Sequence, residues 1–179
     1  MSGFRLGALA VVFSLTALPA FAADALLAAG TFKNGEQAEI GTADLSEGPS
    51  GVLIRVNVEG LEPGWHGIHF HQTGDCSDEG FKKSGAHVHH AEKVPHGLLN
   101  PDGPDDGDLP NLYVAADGTG QAEMFSTRVT LTGEDDGRAH LLDADGSAIV
   151  IHANPDDHMS QPIGGAGDRV ACAVIGKVE

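Results

Sequence analysis

The apolar residues of this chain come in short runs cut by Gly, Pro, Asn and Glu, and no segment beyond the first two dozen residues sustains a helical repeat. That punctuation excludes a helical bundle and favours strands. In Val52-Leu53-Ile54-Arg55-Val56-Asn57-Val58 the second half alternates apolar and polar, as a strand with one buried face does. Strands are predicted at 25–32, 37–45, 51–58, 65–71, 111–116, 120–126, 147–153 and 170–175. Asp117-Gly118 supplies a hairpin turn between two of them. About eight short antiparallel strands define an all-β sandwich or flattened barrel.

Two segments have no strand pattern, 72–110 and 154–168, and connections that long usually carry function. Seven of the ten histidines lie between His66 and His96, three shortly before the first of these segments and four inside it. His69 and His71 are two apart on a predicted strand, so their imidazoles share one face. Two neutral imidazoles on a rigid face suit copper or zinc rather than calcium or magnesium. His66 is out of phase with them and is expected to be a hydrogen-bonded structural residue.

Residues 1–22 have the form of a secretory signal: Arg5, an apolar stretch from about Leu6 to Leu18, then Ala20-Phe21-Ala22 as an A-x-A cleavage site. The apolar stretch is too short to span a bilayer. The expected mature domain is 23–179, periplasmic or secreted. Cys76 and Cys172 are the only cysteines, and an oxidising destination favours their pairing over two free thiols. Losing Arg5 with the signal takes the formal charge from −16 to −17. So acidic a surface repels nucleic acid and anionic lipid, and neither is expected as a partner.

Several motifs, in order along the chain, resemble the copper–zinc superoxide dismutases: Gly64-Trp65-His66-Gly67-Ile68-His69-Phe70-His71, Gly74-Asp75-Cys76, Gly107-Asp108-Leu109-Pro110, Ile151-His152-Ala153, Asp156-Asp157 and Gly165-Ala166-Gly167-Asp168-Arg169-Val170-Ala171-Cys172. The resemblance implies a Greek-key β-sandwich with two long functional loops, superoxide as substrate, copper and zinc as cofactors, and room for a homodimer. It implies copper ligation by His69, His71, His87 and His152, with His87 bridging to zinc and acting with Arg169 in catalysis. His96 and Asp108 match zinc ligands. Asp156 matches the carboxylate linking a copper ligand to a zinc ligand, and Cys76–Cys172 the family disulfide.

The zinc half departs from the family pattern. Asp105 stands where a histidine is usual, three residues before Asp108, and Val88-His89-His90 replaces an aromatic, Asn or Asp, and Pro. Three readings stay open: Asp105 ligates zinc, His89 or His90 substitutes as ligand, or zinc is weakly held or absent. His89 and His90 are otherwise expected to be solvated, and Asp106 a turn carboxylate. Segment 154–168 contains no Lys or Arg, so Lys82, Lys83 or Lys93 on the other loop would have to attract an anion. The expected function is superoxide dismutation at a histidine-ligated copper. A copper-delivery protein on the same scaffold is the alternative, although a carrier has no evident use for Arg169.

Overall fold

The structure is a computed structural model that describes residues 28–90, 94–133 and 137–178. The signal segment, the start of the first predicted strand and Lys93 lie outside these. Twelve strands and one short 3-10 helix occur among the described residues. The strands are β1 (Ala28–Asn34), β2 (Glu39–Gly48), β3 (Gly51–Val58), β4 (Gly64–His66), β5 (Ile68–His71), β6 (Leu112–Val114), β7 (Gly120–Ser126), β8 (Val129–Thr130), β9 (Ala139–His140), β10 (Ala148–His152), β11 (Arg169–Val174) and β12 (Gly176–Lys177). Strands β3 and β7 have the predicted bounds, and Asp117-Gly118 turns the chain between β6 and β7, with Gly118 at φ 82°.

The main sheet runs β4-β6-β7-β3-β2-β1-β11-β10-β5, with β12 paired to β1. Its ends, β4 and β5, are consecutive in the chain and separated only by Gly67, so the sheet nearly closes into a flattened barrel. The single predicted strand 65–71 is thus divided at Gly67. A Cβ there would lie 2.8 Å from Ala166 Cβ, so glycine lets the 154–168 segment pack against the break. Strands β8 and β9, a short parallel pair, were too brief to leave an alternating pattern in the sequence.

Phe32, Leu45, Ile54, Ile68, Phe70, Leu112, Ile149 and Ile151 fill the barrel without measurable exposure. Burying each such side chain is worth about 1.5–3 kcal/mol. On β5, Ile68 and Phe70 point into that core while His69 and His71 point out, yet all four are buried. The outer face is covered by the long loops. A second cluster of Phe81, Val150, Ala148, Cys76 and Cys172 packs the 72–85 part of the first loop over β10 and β11. The Cys76–Cys172 disulfide anchors it there. Apolar packing therefore exists on both sides of the β5–β10–β11 face, and the histidines are sealed between sheet and loops.

Candidate metal centre

His69 and His71 come from β5, and His152 ends β10 where the β10–β11 register shifts between Ile151 and His152. Such a bulge re-aims the side chain that follows it, and it turns His152 toward β5. One ring nitrogen from each of His69, His71 and His152 lies within 4.8 Å of the others. His87 enters from the loop, bridged to His71 in the backbone. Its ring centroid is 4.3 Å from that of His69 and 5.2 Å from that of His71.

Each imidazole has one nitrogen fixed and one left over. His69 Nε2–H donates to Asp156 Oδ2 at 2.8 Å, His71 Nδ1–H to Gly85 O at 3.0 Å, and His152 Nδ1–H to Gly167 O at 3.0 Å. His87 Nδ1–H donates to Asp105 Oδ2 at 2.9 Å. That leaves His69 Nδ1, His71 Nε2, His87 Nε2 and His152 Nε2 buried without a hydrogen-bond partner. Buried polar atoms are normally satisfied. Four lone pairs orphaned together are what an imidazole-binding metal would use, and outer partners that fix each tautomer belong to such sites.

The second donor set is His87, His96, Asp105 and Asp108, again within 4.8 Å of one another. Asp108 Oδ2 accepts the Gly97 N–H at 2.7 Å and the Asp105 N–H at 3.0 Å, so Oδ1 is turned inward against His96 Nδ1. Asp105 Oδ1 accepts the Gly107 N–H at 3.0 Å, so Oδ2 is turned inward toward His87. Backbone donors thus hold one oxygen of each carboxylate and present the other. Two carboxylates and two imidazoles form a donor set that zinc accepts, and their charge balances a dication.

Asp156 joins the two sets. Its Oδ2 meets His69, its Oδ1 meets His96 Nε2 at 3.1 Å, and the same oxygen accepts the His158 N–H at 2.7 Å. Asn111 holds it in place from both sides: Asp156 N–H donates to Asn111 Oδ1, and Asn111 Nδ2 donates to Asp156 O. Gly164, at φ 60°, leaves the space the carboxylate occupies, since a Cβ there would land on Oδ1. Asn111, Gly164 and Gln161, whose amide bonds both backbone groups of His96, escaped the sequence analysis because nothing local marks a residue that works through a distant loop.

Burial is the main cause of the proton affinities in the first set. It lowers His69 to about 3, against the opposing hydrogen bond to Asp156, and His152 to about 4. It also holds His71 well below the usual histidine value, helped by the charges of His87 and Arg169. These rings are neutral at physiological pH. His96 behaves oppositely: burial pulls it down but is outweighed by Asp108 and Asp156, which raise it to about 10. Burial works against ionised Asp156 too, and the hydrogen bonds from His69, His96 and the His158 N–H still hold its carboxyl well below the usual range.

Arg169 opens β11 opposite His152. Its Nη1 donates to Phe81 O at 2.6 Å and Ser84 Oγ at 3.1 Å, and its Nη2 to Gly85 O at 2.7 Å. The guanidinium lines a cavity of about 370 Å³ together with His71, His87, His96 and Asp105. A larger cavity of about 430 Å³ lies beside the disulfide and is lined by none of the clustered histidines. Lys82 and Lys83 sit exposed in the helical turn Lys82–Ser84, next to the carbonyls that hold Arg169.

His66 is structural as expected, with its ring nitrogens at 2.7 Å from His152 O and 2.8 Å from Glu62 O. Neither His89 nor His90 joins the donor set of Asp105. His90 is exposed, but the expectation of a solvated ring fails for His89. That ring is partly buried, and its Nδ1 is buried without a hydrogen-bond partner. Asp106 does more than shape a turn: its Oδ2 accepts the His90 N–H at 2.8 Å, and Arg128 lies 3.9 Å from its Oδ1.

Residues 39–175 match the family model for copper/zinc superoxide dismutase. A Cu-Zn superoxide dismutase of Caulobacter vibrioides is 56% identical over 148 residues, covering 83% of this chain and 84% of the relative. Among solved structures, a double mutant of a superoxide-dismutase-like protein from Bacillus subtilis superposes with a TM-score of 0.76 at 33% identity, covering 82% of this chain and 95% of that one. The Cu/Zn superoxide dismutase of Brucella abortus gives a TM-score of 0.64 at 28% identity, covering 83% and 98%.

Proposed function

The chain belongs to the copper/zinc superoxide dismutase family, and on that premise we propose which of its residues carry the reaction. The reaction is the dismutation of superoxide: two superoxide anions and two protons give oxygen and hydrogen peroxide, and the cofactors are copper and zinc. The copper ligands are His69 through Nδ1 and His71, His87 and His152 through Nε2. The observation that carries this assignment is the four orphaned buried nitrogens, each on a ring whose other nitrogen is held by a hydrogen bond. Bound copper supplies the one-electron exchange that zinc cannot. The zinc ligands are His87, His96, Asp105 and Asp108, with Asp105 replacing the usual histidine.

Arg169 receives the anion. Three hydrogen bonds to Phe81 O, Ser84 Oγ and Gly85 O leave its planar fork little freedom, so a small anion meets a charge already in position. His87 is the proton carrier at Nε2, because it belongs to both proposed ligand sets and lines the cavity beside Arg169. Asp156 keeps His69 and His96 oriented. A copper-delivery role is less economical, since it leaves Arg169 without a task.

Residues 1–22 direct export and are removed, leaving 23–179 as the enzyme in the periplasm. Support comes from the A-x-A site after an apolar stretch and from the Cys76–Cys172 disulfide, which suits an oxidising compartment. Neither nucleic acid nor membrane is a partner, on grounds of charge. A homodimer is compatible with the exposed Trp65 and Tyr113 on β4 and β6, whose rings pack at a tilt of 59°. The test is dismutation by purified mature protein, with copper and zinc counted on the same sample. One of each metal and full activity is expected. Bound copper without turnover would move the assignment to copper delivery.

A further inference from the structure

Outside the main centre, a cavity of about 230 Å³ is lined by Val88, His89, His90, Gly133, Arg138, His140 and Asp143. We propose that His89, His90, His140 and Asp143 form an auxiliary site for a borderline divalent transition metal, zinc or copper. Three imidazoles and a carboxylate are donors that such metals prefer and that calcium and magnesium do not.

Three observations bear on it beyond the gathering of histidines. His89 lines the cavity, and its Nδ1 is buried with no hydrogen-bond partner, so one nitrogen of this wall is left unsatisfied. Arg138 would repel a cation, but its Nη1 donates to Glu47 Oε1 at 2.8 Å and Val129 O at 3.2 Å, so its charge is largely offset. The histidines also stand on anchored backbone. His140 pairs with Thr130 in the β8–β9 ladder, the His90 N–H is held by Asp106, and the Val88 N–H donates to Phe70 O at 3.0 Å.

The ligand atoms here are not drawn together: among the described residues, every set within 4.8 Å belongs to the main centre. Closing on an ion takes rotation of the exposed His90 and Asp143 and the half-buried His89 and His140, so this is an open site that binds more weakly than the sealed centre. His89 also lines the 370 Å³ cavity with His96 and Asp105. An ion held here would therefore stand one side chain away from the zinc half.

The experiment starts from protein saturated with one copper and one zinc, dialysed, and titrated calorimetrically with zinc(II). One further equivalent is expected. It should weaken by roughly tenfold or more in the His90→Gln/His140→Gln double variant, the scale on which a lost partner at a metal site registers. Dismutase activity of that variant should be unchanged. Asp143→Asn gives an independent reading should the double variant fold poorly. Asp105→Ala, which acts on the main centre, should leave the extra equivalent in place. No further equivalent, one that survives both the double variant and Asp143→Asn, or one abolished by Asp105→Ala overturns the proposal.

Discussion

Replacing Asp156 by Ala should weaken both metals at once. The carboxylate accepts from His69 on one oxygen and meets His96 on the other, at 2.8 and 3.1 Å, and both contacts are buried. Partners of this kind are worth about 10–100-fold in metal affinity each, or about 1.4–2.7 kcal/mol. Asp156→Ala removes one partner from the copper side and one from the zinc side, so each Kd should rise by about one to two decades. Asp156→Asn sharpens the test. Its single oxygen can accept from one imidazole while its NH2 opposes the N–H of the other, so one metal should be spared and the other lost. Chelator competition, run separately for copper and zinc on each variant, reads these constants. Loss of only one metal in Asp156→Ala, or of neither, would refute the idea that one carboxylate orients both sets.

Five further outcomes are expected. Asp105→Ala should lower zinc affinity and leave copper bound, read by elemental analysis after dialysis; unchanged zinc would show that Asp105 is no ligand. Replacing both Cys76 and Cys172 by Ser should cost about 4–5 kcal/mol in urea denaturation, because the bridge closes a loop with a sequence separation of 96; it should also lower activity by loosening the segment that holds Arg169. Metal-free protein should lose stability in acid. His69 and His152 fall to about 3 and about 4 when folded, so their contribution is present above 6.5, the unfolded value, and disappears as pH drops toward those values. His96, raised to about 10, contributes below 6.5 and loses its contribution as pH rises through 10, so zinc uptake at pH 7 should release about one proton; calorimetry in buffers of different ionisation enthalpy measures it. Finally, with no Lys or Arg in 154–168 and a formal charge of −16 on the full chain, the rate should depend weakly on salt or rise with it; a steep fall would mean that Lys82 and Lys83 steer the substrate strongly.

Much of this protein is written in local patterns. Period-two alternation specified β3, a turn dipeptide specified the β6–β7 hairpin, and His69 and His71 were bound to share a face because strand geometry allows nothing else. The identity of the donor atoms is local chemistry too: imidazoles and carboxylates declare a borderline metal wherever they gather. The gathering itself is not local. His87, Asp105 and His152 reach one centre only because two loops fold back on the β5–β10 face, clamped by a disulfide and by the Phe81 cluster. The departure at Asp105 was visible in the chain, and it left three readings open, with ligation by Asp105 foremost. The proposal that Asp105 is a ligand rests on a contact the chain does not display: the Gly107 N–H holds one oxygen and turns the other toward His87. The same holds for Asn111 and Gly164, whose partners are tens of residues away or defined by empty space. Periodicity and residue chemistry travel along the chain, whereas which nitrogen remains unpartnered depends on distant backbone groups that meet only when the loops have closed.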